Sequence, residues 1–263
     1  MARVWFGYSP KLTCAEPVDL FGRAMNPKLM NETRALADPP NCLTRLRSFI
    51  RELSAPTEFC LILLVGFGPL VVFMLPNLLR PKPVVVNNAG VLWFPLVELV
   101  LLIPILWIGK LRGWSLSTFG SKISWKATGA GILLFLVSEA VMLGVSYGAG
   151  IIHAEQAPIA AGRLAVLPIL LISLINPVFE EALETGYFIH QLQRFGMWPA
   201  VLASAAFRGL FHLQFGINTV LSVFAMGAIF AFAYWRWRQL WPLIVAHSSA
   251  DLLALFFASY HAA

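Results

Sequence analysis

Charge is scarce in this chain, and so is cysteine. Across 263 residues only 12% are Asp, Glu, Lys or Arg and 59% are hydrophobic, where soluble proteins average about 25% and about 45–50%. That shortfall excludes an ordinary soluble domain, whose surface needs charge. Cys14, Cys42 and Cys60 form no CxxC and have no metal-ligand spacing, so a disulfide framework is a poor expectation. Aspartate is nearly missing: beyond Asp38 the chain has only Asp251, and no aspartyl pair can form in its apolar part. H-E-x-x-H, the two-histidine zinc helix, does not occur, and no serine nucleophile elbow is expected. Ser204 lies two turns from His212 on one helix, too far to be activated by it. No basic run is interleaved with exposed aromatics, so nucleic acid is not an expected partner.

In place of charge there are apolar runs. Seven are long enough for a hydrocarbon core of about 30 Å, at 59–79, 91–108, 127–149, 165–182, 198–215, 219–237 and 241–260. The sixth has the shortest clean apolar part, and Arg236 must snorkel from it. The expected fold is all-α, a polytopic membrane bundle of about seven transmembrane helices. A segment over 1–57 precedes a transmembrane domain over 58–263. That first segment holds Arg3, Lys11, Arg23, Lys28, Arg34, Arg45, Arg47 and Arg51, and alternate loops add Lys110, Arg112, Lys122, Lys126, Arg194 and Arg238. The opposite side has only Arg80, Lys82 and Arg163. Cytoplasmic loops carry the basic excess, which predicts a cytoplasmic N-terminus and an outer C-terminus. The formal net charge of +6 then reads as topology and attraction to anionic membrane lipid.

Within 1–57 no apolar leader is evident. Leu43, Leu46, Ile50 and Leu53 share a helical face opposite Arg45, Arg47 and Arg51, which suggests an interfacial helix, the alternative being a disordered basic tail. Residues 80–90 read as a loop, and His190 to Arg194 continue the fourth helix before a turn at Gly196. Trp198, Trp235, Trp237 and Trp241 fall where an aromatic belt holds helix ends.

The last third carries polar stripes inside apolar segments. Asn176, Glu180 and Glu184 recur at i, i+4, i+8, as do Ser204, Arg208 and His212, and His247 with Asp251 repeats the step. Residues four apart share a helix face. Charged groups in hydrocarbon cost about 2.5–3.5 kcal/mol each on insertion scales and so mark sites. Glu180 follows Pro177, which removes a backbone donor and frees the carbonyl of Ser173; an acid beside such a break reaches water and can take a proton from it. Glu181 points about 100° away and reads as a helix anchor, and Glu184 as a solvated residue near the interface. Asp251 can fix the tautomer of His247, while Ala246, Ala250 and Ala254 beside them read as a small-residue stripe for close helix approach. Glu98, Glu139 and His153 stand alone and read as packing or interface residues.

Three motifs in this order resemble the CPBP family of intramembrane proteases, the CAAX prenyl protease and bacteriocin-processing group. They are Glu180-Glu181-Ala-Leu-Glu184-Thr185, Phe207-Arg208-Gly-Leu-Phe-His212 and His247-Ser-Ser-Ala-Asp251, and the likeness covers 165–260. Two positions depart from the family pattern. Thr185 stands where the family has arginine, and Phe207 is five residues before His212 rather than four. Arg208, on the face of His212, is placed to supply the missing cation from the next helix.

The resemblance implies peptide hydrolysis in a cavity between helices. Glu180, assisted by His212, would activate water, His247 and Asp251 would stabilise the oxyanion or orient substrate, and Glu181 and Arg208 would hold the arrangement. The cavity is expected to open from the cytoplasmic half. No cofactor is favoured; the alternative is zinc on Glu180, His212 and His247. The implied partners are a membrane-associated protein or peptide substrate and lipid. Prenylated C-termini, signal-like peptides and sorting tails all remain open as substrates. A bacterial plasma membrane is the expected location, with an endoplasmic reticulum enzyme as the alternative. A different class of reading, a non-catalytic scaffold or immunity protein, needs no glutamate–histidine geometry; a transporter would show inverted repeats, which are not evident.

Overall fold

The computed structural model of the chain describes residues 42–79, 84–120, 122–151 and 159–261. The chain divides into two compact units, 1–48 and 49–263. Of the first, only the start of α1 (Cys42–Glu52) is described. Cys14, Arg80, Lys82 and His153 lie outside the described residues.

The second unit is helical nearly throughout. Helices α2 (Ala55–Leu79), α3 (Asn88–Leu111), α4 (Trp125–Ile151) and α5 (Val166–Glu180) come first. After a π-helical segment over Glu181–Tyr187 follow α6 (Phe188–Leu192), α7 (Met197–Phe211), α8 (Ile217–Trp237) and α9 (Trp241–His261). Among the described residues six helical stretches are long and apolar enough to cross a membrane, and the chain is a polytopic helical membrane protein. The fifth apolar run is the shorter exception. Helix α7 has 15 residues, roughly 22 Å at 1.5 Å per residue, because it ends at Phe211, where a 3-10 turn over Leu213–Phe215 closed by Gly216 (φ 93°) takes over. The sixth run, expected to be the weakest, is a full 21-residue helix.

The loops at each end pair with one another. Asn87 caps α3, its side chain accepting from Gly90 N at 2.9 Å, so the helix begins inside the stretch read as loop. Short strands β1 (Val84–Val86) and β2 (Ile159–Ala161) pair in parallel, and the Asn88 side chain bridges to Arg163 O and Ala165 N. At the other end Glu58 of α2 accepts from Arg112 Nε at 2.6 Å, Gln191 at 3.1 Å and the Tyr187 hydroxyl at 3.3 Å. Leu240 N donates to Gly120 O, a contact that a β-carbon at Gly120 would block.

Two apolar cores flank the middle of the unit. One gathers Phe230, Tyr234, Leu243 and Ala246 from α8 and α9 with Val201 from α7. The other joins Ile62 and Phe67 of α2 and Ile105 of α3 to Phe179, Leu183 and Tyr187. Phe67 sits edge-on to Phe207 at 4.9 Å and to Phe211 at 5.2 Å, geometry worth about 0.5–1.5 kcal/mol per pair beyond burial. The polar stripes lie where these two cores meet.

Candidate active site

Pro177 does not end the fourth helix. The α-helical bonding runs on to Glu180 and then loosens into the π segment, whose turns are wider than those of an α-helix. That widening changes where the acids point. Glu180, Glu181 and Glu184 all reach the guanidinium of Arg208 on α7, at 3.9, 2.7 and 3.1 Å respectively. Glu181 therefore does not turn away from Glu180, and Glu184 is not solvated: it is fully buried, as are Glu181, Thr185 and Arg208. The Thr185 hydroxyl donates to Glu181 at 2.8 Å and accepts from Arg208 at 3.3 Å. The Ser204 hydroxyl donates to the Glu184 carbonyl and ties α7 to the π segment.

His247 of α9 completes the cluster. Its Nδ1 lies 2.8 Å from Glu181 Oε1, so the tautomer is set by Glu181 rather than by Asp251. A carboxylate only accepts, hence Nδ1 carries the hydrogen. Nε2 lies 3.6 Å from Asp251 and 3.9 Å from Glu180. Asp251 in turn accepts from the Asn176 side chain at 3.2 Å. The rings and charges are backed by Phe230, 5.8 Å from the Arg208 guanidinium carbon and 6.3 Å from the His247 ring.

His212 stands apart from this network. It is the C-cap of α7, and its Nδ1 lies 2.9 Å from the carbonyl of Arg208, one turn back. That carbonyl can only accept, so Nδ1 carries the hydrogen and the neutral ring has Nε2 as an acceptor. No hydrogen bond joins His212 to Glu180 among the described residues. The two meet instead as walls of one cavity of about 390 Å³, together with Asn176, Asp251 and apolar residues such as Phe94 and Phe211. Val85, Val86 and Gly90 line it too, so the cavity runs down from the β1–α3 corner. It lies at the end of α3 opposite Lys110 and Arg112, not on the side of those basic loops. The reason is the short α7, which stops at His212 and leaves room beneath the corner.

Some of these features were hidden from the sequence. Glu184 lay in the right stripe, but without the π segment its burial had no signal. Glu98 is wholly buried with both carboxylate oxygens unpaired among the described residues. Glu139 lines a second cavity beside His212, His247 and Asp251 and does not merely pack. Ala246 is buried, but Ala250 and Ala254 line cavities and so leave space there. Gly144-Val-Ser146-Tyr-Gly148 spells the G-x-S-x-G pattern, yet it lies inside α4 and lacks the strand–turn–helix setting of a nucleophile elbow.

Zinc fits these residues poorly. Among the described residues no group of three His, Cys, Asp or Glu side chains is arranged to hold a metal ion. The Nδ1 contacts of His247 to Glu181 and of His212 to a carbonyl fix the orientation of each ring.

Fold and site together define a membrane protein with a buried carboxylate–arginine–histidine centre beside a cavity. Residues 162–253, which contain all three motifs, match the family described as type II CAAX prenyl endopeptidase Rce1-like. That is a CAAX-protease family, as the motifs suggested, and it is a family of proteases. No curated protein and no solved structure gives a significant match.

Proposed function

We propose that the chain is an intramembrane endopeptidase that cuts a membrane-associated peptide with water activated by Glu180. The observation carrying this reading is the convergence of Glu180, His212 and Asp251 on one cavity between apolar helices. In the proposed reaction water sits between Glu180 and His212 Nε2, both proton acceptors. Glu180 takes a proton as the oxygen attacks the scissile carbonyl carbon. The carbonyl oxygen gains negative charge, and in this scheme His247 is an imidazolium, its Nδ1–H held by Glu181 and its Nε2–H donated to that oxygen, while Asp251 orients the ring. The tetrahedral species then collapses, the C–N bond breaks, and Glu180 returns its proton to the leaving nitrogen. A carboxylic acid and an amine leave the site.

Arg208 is a positioning residue in this scheme. Its guanidinium gathers Glu181 and Glu184 and so keeps Glu180 from being drawn into a tight ion pair, the Arg208–Glu180 separation being 3.9 Å. It also occupies the neighbourhood of Thr185, where the related family carries its own arginine.

Glu180→Gln is the decisive variant. It keeps shape and one hydrogen-bonding end but removes the proton acceptor. Turnover of a membrane-anchored peptide by the purified variant should drop by about 10²–10⁴-fold, with insertion and detergent melting unchanged. Wild-type turnover in Glu180→Gln would end the general-base assignment, and a non-catalytic scaffold would show no turnover in either protein.

A further inference from the structure

A second cavity, of about 340 Å³, opens beside the first. Its polar walls are Glu139 of α4, His212, His247 and Asp251, and Met142 and Met226 are among its apolar walls. His212, Asp251 and Ala254 line both cavities. Each volume lies in or near the range of small-ligand pockets, about 300–1,000 Å³. A peptide laid across the junction places its reacting carbonyl beside His212 and Asp251, with one flank in each cavity.

The acids around this junction are not equivalent. Glu180 has Arg208 and His247 at 3.9 Å. Asp251 has Asn176 at 3.2 Å and His247 at 3.6 Å. Glu139 alone of these has no hydrogen bond or ion pair among the described residues. It lies near the middle of α4, a candidate membrane span over Trp125–Gly150, where an unpaired acid is costly and marks function. Its chemistry calls for a donor, and the described residues supply none. The methionine walls beside it suit the methylene stem of a long side chain, being flexible and polarisable.

We propose that Glu139 is a specificity-determining residue: it is the counter-ion for a lysine or arginine side chain on the substrate flank that enters the second cavity. This rests on the endopeptidase reading above. A neutral substrate side chain of the same length would leave Glu139 unpaired in a low-dielectric site, and discrimination follows from that penalty.

The test uses fluorescein-labelled apolar dodecapeptides in detergent, identical except that lysine, norleucine or glutamate is moved through each position. Binding is measured on Glu180→Gln, alone and combined with Glu139→Gln or Glu139→Lys; cleavage is measured with Glu180 intact. At one position lysine should be preferred over norleucine by about tenfold. Glu139→Gln should bring that ratio close to one, Glu139→Lys should turn it toward glutamate, and Glu139→Asp should keep part of it. Each ratio is taken within one protein sample, so partial misfolding cancels. A lysine preference unchanged in Glu139→Gln, or no preference at any position, overturns the proposal, as does failure of every peptide to bind. Glu139-dependent binding without cleavage by the wild type would leave this site standing and remove the endopeptidase reading instead.

Discussion

Arg208 carries more of the site than any other residue. One buried guanidinium faces acids at 2.7, 3.1 and 3.9 Å, and its planar fork allows that where the single ammonium of lysine cannot. Nε is within ion-pair distance of Glu184 but is not aligned for a hydrogen bond, and neither Glu184 carboxylate oxygen has a hydrogen-bond partner among the described residues. The cluster therefore rests on charge proximity as much as on directed bonds. Arg208→Ala leaves buried acids without their cation and should cost about 3–5 kcal/mol, read as a lower melting midpoint in detergent together with lost turnover. Arg208→Lys should recover little of either. Thr185→Arg in the Arg208→Ala background places a guanidinium back near Glu181 from the π segment and should restore part of the midpoint. A double variant no more stable than Arg208→Ala would show that the position of the cation matters as well as its presence.

At the scale of elements, the site depends on how closely α7, α8 and α9 approach. Gly227 of α8 lies over α7, and a β-carbon there would come within 3.1 Å of Arg208 Cδ and 3.2 Å of Ala205 Cα. Gly131 of α4 lies against α9, where a β-carbon would meet Pro242 O and Val245 Cβ at 2.7 Å. Gly227→Val and Gly131→Val should each destabilise by about 1–3 kcal/mol through overpacking. Gly227→Val should also lower turnover, since it pushes on Arg208 itself. Gly129→Val and Gly144→Val meet nothing within 4 Å, and their melting midpoints should stay near that of the wild type. Equal losses at all four positions would point to a general effect of valine in these helices and not to packing.

For the molecule as a whole, the placement of the cavity relative to the basic loops predicts which side of the membrane it faces. Its lining includes Val86 at the β1–α3 corner and Ala254 on α9, at the end away from Lys110 and Arg112. If the basic loops are cytoplasmic, the cavity opens outward. Cys42 and Cys60 are exposed, so they and Cys14 are first changed to serine. Val86→Cys and Ala254→Cys in right-side-out vesicles should then react with a membrane-impermeant maleimide, while Lys110→Cys should react only after permeabilisation. The reverse pattern would invert the orientation, with the geometry of the site unchanged.

Composition and apolar run length determined that this chain is a helical membrane protein, because hydrocarbon tolerates neither open backbone nor many charges. Spacing of four along single helices picked out Glu180, Arg208, His212, His247 and Asp251, since a helix repeat is a property of local sequence. What spacing could not supply was the relation between helices. The loosening of α5 into π turns, which turns Glu181 and Glu184 onto one arginine, depends on bonding across five residues and on the packing of α7 beside it. The pairing of His247 with Glu181 and the isolation of Glu139 at a second cavity likewise join residues tens of positions apart, and only the tertiary structure decides such distances.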